Sequence, residues 1–326
     1  MPSVGSVAGR LEGAFAGVWS LGELALALTR PREVYGDPHA GALRRDVAER
    51  GFHPPIDARA LDLHLSRTGT IRGTNPYVRV GEARRDRVLA KLRRAGGPRR
   101  ARHLVVVCHC YGVPSEVLMR RLFGLGGLDA DVALNVMGHH QPGTFLLWPG
   151  SGMVSARMSH FVENVRSAVT GVRALVAWLR AQHDYETVSV VGFSIGGQLA
   201  LHLAHAGDVD RALLYCPVTS LRRTAKELGL MPHLVPMLDP ALTRLHGAGL
   251  DDLLALADPL SMPLAMPEER LHVVLHRHDA LTPPAQIEPI RRKYPRVGWT
   301  ELEGTHLVPL GLRELHDVVR RALATP

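Results

Sequence analysis

The sequence predicts an α/β fold: a mainly parallel central sheet with helices on both faces. From His103 onward, strand-like runs alternate with helical stretches, the pattern of parallel strands joined by crossover helices. The earlier runs are nearly continuous in apolar residues, as strands covered on both faces require. The chain has 326 residues, 46% of them apolar, which suits one large domain with an extension, or at most two domains.

Residues 1–60 read as an N-terminal helical extension that turns loop-like around 36–41 and 51–57. Within it, residues 14–28 are apolar but interrupted by Glu23. They lack a basic start and an Ala-x-Ala cleavage site, so they do not read as a signal peptide. An amphipathic helix lying on the protein is expected there, with a peripheral membrane contact as the alternative. Residues 61–326 form the expected α/β domain. Short alternating stretches over 61–80 predict edge strands, and a helix is expected over 82–94, ended by Ala95-Gly96-Gly97-Pro98.

Strands are then expected at 103–110, 131–138, 187–193, 211–218, 270–278 and 297–304. The clearest helix runs from Met158 to Leu179, with Val162, Val165, Val169, Val172 and Val176 on one apolar face. Asn164, Arg166 and Arg173 fall off that face. Over 219–269 the alternation breaks in a stretch rich in Leu, Met and Pro, including Met231, Met237, Met262 and Met266. It is too long for a simple connection. It reads as a cap inserted over the carboxyl end of the sheet, or as a helix with a long surface loop.

Composition excludes several function classes. The net charge is +8 and the pI about 9.9, but the basic residues are scattered and nearly all Arg. The densest cluster, Arg84 to Arg102, has no interleaved aromatic residues for base stacking, and no helix-turn-helix or zinc-finger pattern is present. No nucleic-acid partner is expected. No apolar run approaches the length of a spanning helix. The three cysteines, Cys108, Cys110 and Cys216, form no framework, which fits a reducing, cytoplasmic setting. Cys108 and Cys110 lie two apart on one predicted strand and so share a face. No metal site and no cofactor are expected.

The chemistry centres on Gly192-Phe193-Ser194-Ile195-Gly196. A G-x-S-x-G string alone is weak evidence, since an incidental serine in a glycine-rich turn gives the same letters. Here a β-branched strand precedes it and a helical run follows. That context puts Ser194 on a sharp, strained strand-to-helix turn at the positive end of a helix. From His103 to the C-terminus the chain resembles the α/β-hydrolase superfamily, whose members use the order Ser, acid, His. Gly138-His139-His140 is locally similar to one branch of that superfamily.

The resemblance implies a base in the loop after the last strand. Among the eighteen histidines, His306 in Gly304-Thr305-His306 holds that place. It implies an acid after the penultimate strand, where Asp279 stands just before a helix opening near Thr282 and Pro283. Asp279 could instead cap that helix. The competing acid position after residue 218 carries Thr219 and Ser220, with no carboxylate. His276 and His278 precede the turn and rank below His306.

Acyl transfer also needs donors for a developing oxyanion. The backbone N–H of Ile195 is the first expected donor, and that of Tyr111 the second, with Cys110 as fallback. The family often has His-Gly in this loop, where this chain has His109-Cys110, so the detailed geometry of the hole stays open. His109 either braces the loop or is simply a buried, hydrogen-bonded histidine. His139 and His140, at the carboxyl end of a strand, complete the substrate-pocket candidates. The expected function is a serine hydrolase cleaving a carboxylic ester of a small-molecule acyl substrate. The same groups could serve a thioesterase, amidase or acyltransferase, and a non-catalytic binding protein on this scaffold is the rival from another class.

Overall fold

A computed structural model describes residues 39–80, 85–96, 101–144, 149–150, 153, 158–220 and 250–324. Valine-rich runs pair into one sheet of nine strands in the order β1-β2-β3-β5-β4-β6-β7-β8-β9. The strands are β1 (Leu63–Leu65), β2 (Thr70–Val78), β3 (Arg85–Arg93), β4 (His103–Cys108), β5 (Asp131–Asn135), β6 (Thr187–Phe193), β7 (Arg211–Tyr215), β8 (Leu271–His276) and β9 (Gly298–Leu302). From β5 through β9 every pairing is parallel, while β1, β2 and β3 form an antiparallel meander that joins β5 antiparallel.

The helices are α1 (Ala40–Arg50), α2 (Glu116–Leu122), α3 (Met158–Gln182), α4 (Ile195–Ala206), α5 (Leu250–Ala255), α6 (Pro284–Lys293) and α7 (Leu312–Leu323). Alternation along β4 divides the core. Leu104, Val106 and Cys108 face one layer with α3, α4 and α6, while Val105 and Val107 face α2 and α7. Helices on both faces are what right-handed crossovers in both directions from β4 require.

Two expectations need correction. The helix expected over 82–94 is strand β3. Val88, Leu89 and Leu92 fit a helical stripe, but Val88, Ala90 and Leu92 fit a strand face equally well, and these three are buried. Pairing with β2 on one side and β5 on the other decides between the two periods. Secondly, Cys108 and Cys110 do not share a face: they lie in opposite core layers, because β4 ends at Cys108 and alternation ends with it. Asn164, Arg166 and Arg173, off the apolar stripe of α3 as the pattern has them, are buried as well.

The reason lies largely in the segments before β4. Helix α1 and strands β2 and β3 pack on α3, and each polar group meets a partner there. Arg166 pairs with Asp46 of α1, Arg173 donates to the Pro54 carbonyl and also pairs with Asp208 beyond α4, and Asn164 accepts from Arg79. A buried guanidinium is tolerated only when paired in this way. Of the segment 219–269, residues 250–269 place Leu253, Ala257 and Met266 in the α3–α4 layer, and residues 221–249 lie outside the described residues. Residues 14–28 also lie outside them. Among the described residues no helix is long and apolar enough to cross a membrane.

Candidate active site

Ser194 stands between β6 and α4 with φ 57° and ψ −118°, a backbone region that costs an L-residue of order 1–3 kcal/mol. Two glycines make the turn geometrically feasible. A Cβ on Gly192 would lie 2.1 Å from the Gly196 carbonyl oxygen, and a Cβ on Gly196 would lie 2.1 Å from that of Cys108. The second contact brings the loop after β4 against the start of α4. Ser194 is pinned by its N–H to the Tyr215 carbonyl (3.0 Å) and by its own carbonyl accepting from Val218 (3.0 Å).

His306 lies in the loop after β9, and its ring centroid is 5.0 Å from that of Phe193, the residue before Ser194. Its Nδ1 is 2.8 Å from Oδ2 of Asp279. Both side chains are almost wholly buried, so the pair is dry. Asp279 Oδ1 accepts from the backbone N–H groups of Leu281 (2.8 Å) and Thr282 (2.7 Å). Oδ2 also lies 2.8 Å from Thr282 Oγ1. Asp279 therefore serves the turn before α6 and faces His306 at once; the capping and orienting readings coexist. Burial pushes its carboxyl up, but the His306 charge and these hydrogen bonds outweigh it and hold Asp279 below the ordinary carboxylate range.

The loop carrying His306 is held from beneath by His276. His276 Nδ1 donates to the Thr305 carbonyl, so Nε2 accepts from the Tyr215 hydroxyl at 3.0 Å. Sequence reasoning had ranked His276 only as a lesser base, and had missed Thr282 as more than a helix opening. It missed Cys216 altogether. The Cys216 sulfur and ligand atoms of Asp279 and His306 all lie within 4.8 Å of one another. The signal was there: residues just after β7 occupy the competing acid position, and so must approach the imidazole.

The expected oxyanion donors belong to the start of α4 and to the loop after β4, two segments in close contact at Gly196. Ile195 opens α4, where first-turn N–H groups have no intrahelical acceptor. Cys110 and Tyr111 lie in the loop after β4, with Gly112 next. Two histidines brace that loop. His109 donates from Nδ1 to the Cys110 carbonyl (2.7 Å) and accepts at Nε2 from Met137 (3.2 Å). Burial drives its pKa down to about 4. His140 accepts the Gly112 N–H at Nε2 (3.1 Å), and its ring meets Tyr111 edge-on. Burial, with His109 and His139 nearby, takes its pKa down to about 2. His109 is fully buried with both ring nitrogens in use, which leaves no edge for a substrate. His139 turns toward Asn164 (2.9 Å) and the Arg79–Asp86 pair. The geometry thus makes His109 and His140 braces of this loop, while His139 joins the Arg79–Asp86–Asn164 cluster.

Acetyl xylan esterase from Paenibacillus sp. R4 aligns with a TM-score of 0.57 at 14% identity, over 90% of this chain and 98% of that one. Acetyl xylan esterase 1 from Thermoanaerobacterium sp. aligns at 0.54 and 15% identity, over 90% and 96%. The chain has the α/β-hydrolase fold. Est1E from Butyrivibrio proteoclasticus shares this α/β-hydrolase core at a TM-score of 0.52 and 15% identity, over 72% of this chain and 93% of that one. Residues 153–232, which contain the Ser194 turn, match the model of the dienelactone hydrolase family. No curated protein matches this chain.

Proposed function

We propose that this α/β-hydrolase is a serine hydrolase that cleaves a carboxylic ester through an acyl-enzyme. One observation carries the reading: a buried imidazole–carboxylate pair, His306 and Asp279, sits beside the strained turn bearing Ser194. Ser194 Oγ attacks the acyl carbon while His306 Nε2 takes its proton. Asp279, held as the anion, fixes Nδ1–H toward itself and stabilises the imidazolium. The N–H groups of Ile195 and Tyr111 receive the charge on the carbonyl oxygen, with Cys110 the alternative to Tyr111. His306 then protonates the departing alcohol, and a water activated by the same imidazole releases the acid. The esterase names of two aligned structures put an ester ahead of a thioester, amide or acyl transfer.

A fluorophosphonate probe tests the nucleophile. It labels the wild-type chain at Ser194 and leaves folded Ser194→Ala unlabelled. Well-folded wild type that stays unlabelled would return the chain to the non-catalytic reading. A panel of p-nitrophenyl esters, acyl-CoA thioesters and peptidyl amides then ranks the leaving groups, and turnover confined to amides or thioesters overturns the ester assignment.

A further inference from the structure

The reaction above uses His306 and Asp279 but has no place for the thiol that meets them. Cys216 is fully buried just beyond β7, and its backbone is fixed on both sides. Its N–H donates to the Val274 carbonyl (2.8 Å), and its carbonyl lies 3.1 Å from Thr282 Oγ1. The sulfur is therefore positioned by the same scaffold that positions Asp279.

We infer that Cys216, His306 and Asp279 form an inhibitory site for a borderline-soft divalent cation of the zinc type. One sulfur, one imidazole nitrogen and one carboxylate oxygen lie within 4.8 Å of one another. Around a tetrahedral zinc ion, with bonds of about 2.0–2.3 Å, neighbouring ligand atoms sit about 3.3–3.6 Å apart. Side-chain adjustments of about an ångström close this set on the ion. The donor types also select the metal. Thiolate and imidazole favour zinc, whereas magnesium and calcium require oxygen ligands. Three protein ligands leave the fourth position to water.

Binding is balanced by loss of one proton to solvent, from the Cys216 thiol, while the hydrogen of His306 Nδ1 moves to Nε2 and the ring stays neutral. Asp279 Oδ2 lies 2.8 Å from Nδ1, so an ion that joins all three donors binds at that nitrogen. Coordination there replaces the hydrogen bond to Asp279, and the hydrogen now on Nε2 bars it from accepting the Ser194 proton. The inhibition, though not the binding, rests on the serine-hydrolase reading. The proposed hydrolysis assigns no step to Cys216, and inhibition in its variants is read against each variant's own metal-free rate.

The test uses the full chain, freed of metal with a chelator. Calorimetry with Zn2+ and absorption with Co2+ report binding, and ester hydrolysis with Zn2+, Mg2+ or Ca2+ reports inhibition. The expected result is a thiolate-to-cobalt charge-transfer band, and Zn2+ inhibition reversed by chelator, with Mg2+ and Ca2+ inert. Cys216→Ser and Cys216→Ala should lose the band and, each measured against its own metal-free rate, need at least about tenfold more Zn2+ for half inhibition. Wild type without the band, or a Cys216→Ser chain as zinc-sensitive as wild type, overturns the site. If the chain hydrolyses nothing, the band and the calorimetry still decide the site, and only the serine-hydrolase reading falls.

Discussion

Two histidines with ring-nitrogen partners, one buried and one half-buried, behave in opposite ways. His306 faces Asp279 at 2.8 Å, and His53 faces the Nδ1 of His202 at 3.0 Å. His202 lies on α4, the helix that Ser194 opens, and His53 in the loop after α1. The lengths are alike; the charges are not. Asp279 is an anion that stabilises an imidazolium. His53 is desolvated and lies near Arg173, His205 and Arg166, which together lower its pKa to about 3. Burial, then His53 and His205, hold His202 well below its usual value as well. A buried histidine is thus a base only where an anion awaits its proton, and otherwise a neutral packing group.

The largest expected effect separates the two pairs by function. Asp279→Asn should fold normally yet lower kcat by roughly 10⁴, by analogy with orienting acids of other triads. His53→Phe should leave kcat within about twofold while costing ~1–2 kcal/mol of stability, the ordinary range for a buried polar replacement. Steady-state kinetics and urea melts measure both. If His53→Phe loses activity as deeply as Asp279→Asn, the division between base and packing group fails.

Acid should separate them by stability. For His53 the folded-state pKa of about 3 lies below the unfolded value of 6.5. Below pH 6.5 the unfolded chain binds the extra proton, so stability is full above 6.5 and declines as pH falls toward about 3. His202, His205 and His109 have the same sign, the last two with pKa values lowered to about 4. Asp279, whose folded pKa is also depressed, contributes above its unfolded value of 3.8 and loses that contribution only as pH falls below it. The loss between pH 6.5 and 4 therefore belongs to the histidines. Each fully neutral one contributes about 1.4 kcal/mol per pH unit. The urea midpoint should fall across that window, less steeply in His53→Phe. A flat wild-type midpoint there would contradict the neutral reading of the His53–His202 pair.

The sequence made one half of this comparison readable and hid the other. Strands β4 to β8 announce themselves because burial on both faces leaves long apolar runs. The resemblance to the α/β-hydrolase superfamily implied that Ser194, Asp279 and His306, each just beyond a strand, converge, and of these the structure pairs Asp279 with His306. Strand β3 was missed because Val88, Leu89 and Leu92 satisfy two periods, and only its neighbours break the tie. His53 and His202 were invisible because α1 must fold over α3 before they touch. Cys216 and Thr282 were missed as partners for a related reason: parallel pairing of β7 with β8 brings their loops together, and no local spacing records that contact.

The smallest effect tests how much of the His306–Asp279 pair is held by its surroundings. Thr282 Oγ1 lies 2.8 Å from Asp279 Oδ2 and 3.2 Å from His306 Nδ1. Its single proton cannot serve His306, whose Nδ1 already carries one toward Asp279. The hydroxyl therefore donates to the carboxylate or to the Cys216 carbonyl, and holds Asp279 in register. Thr282→Val keeps the shape and removes that donor, while the two backbone N–H groups on Oδ1 remain. The expected cost is about 1 kcal/mol, a fall of roughly fivefold in kcat with KM unchanged. Thr282→Ser should restore the rate. If Thr282→Val raises kcat instead, the hydroxyl competes with His306 for the carboxylate, and the pair is strongest when left alone.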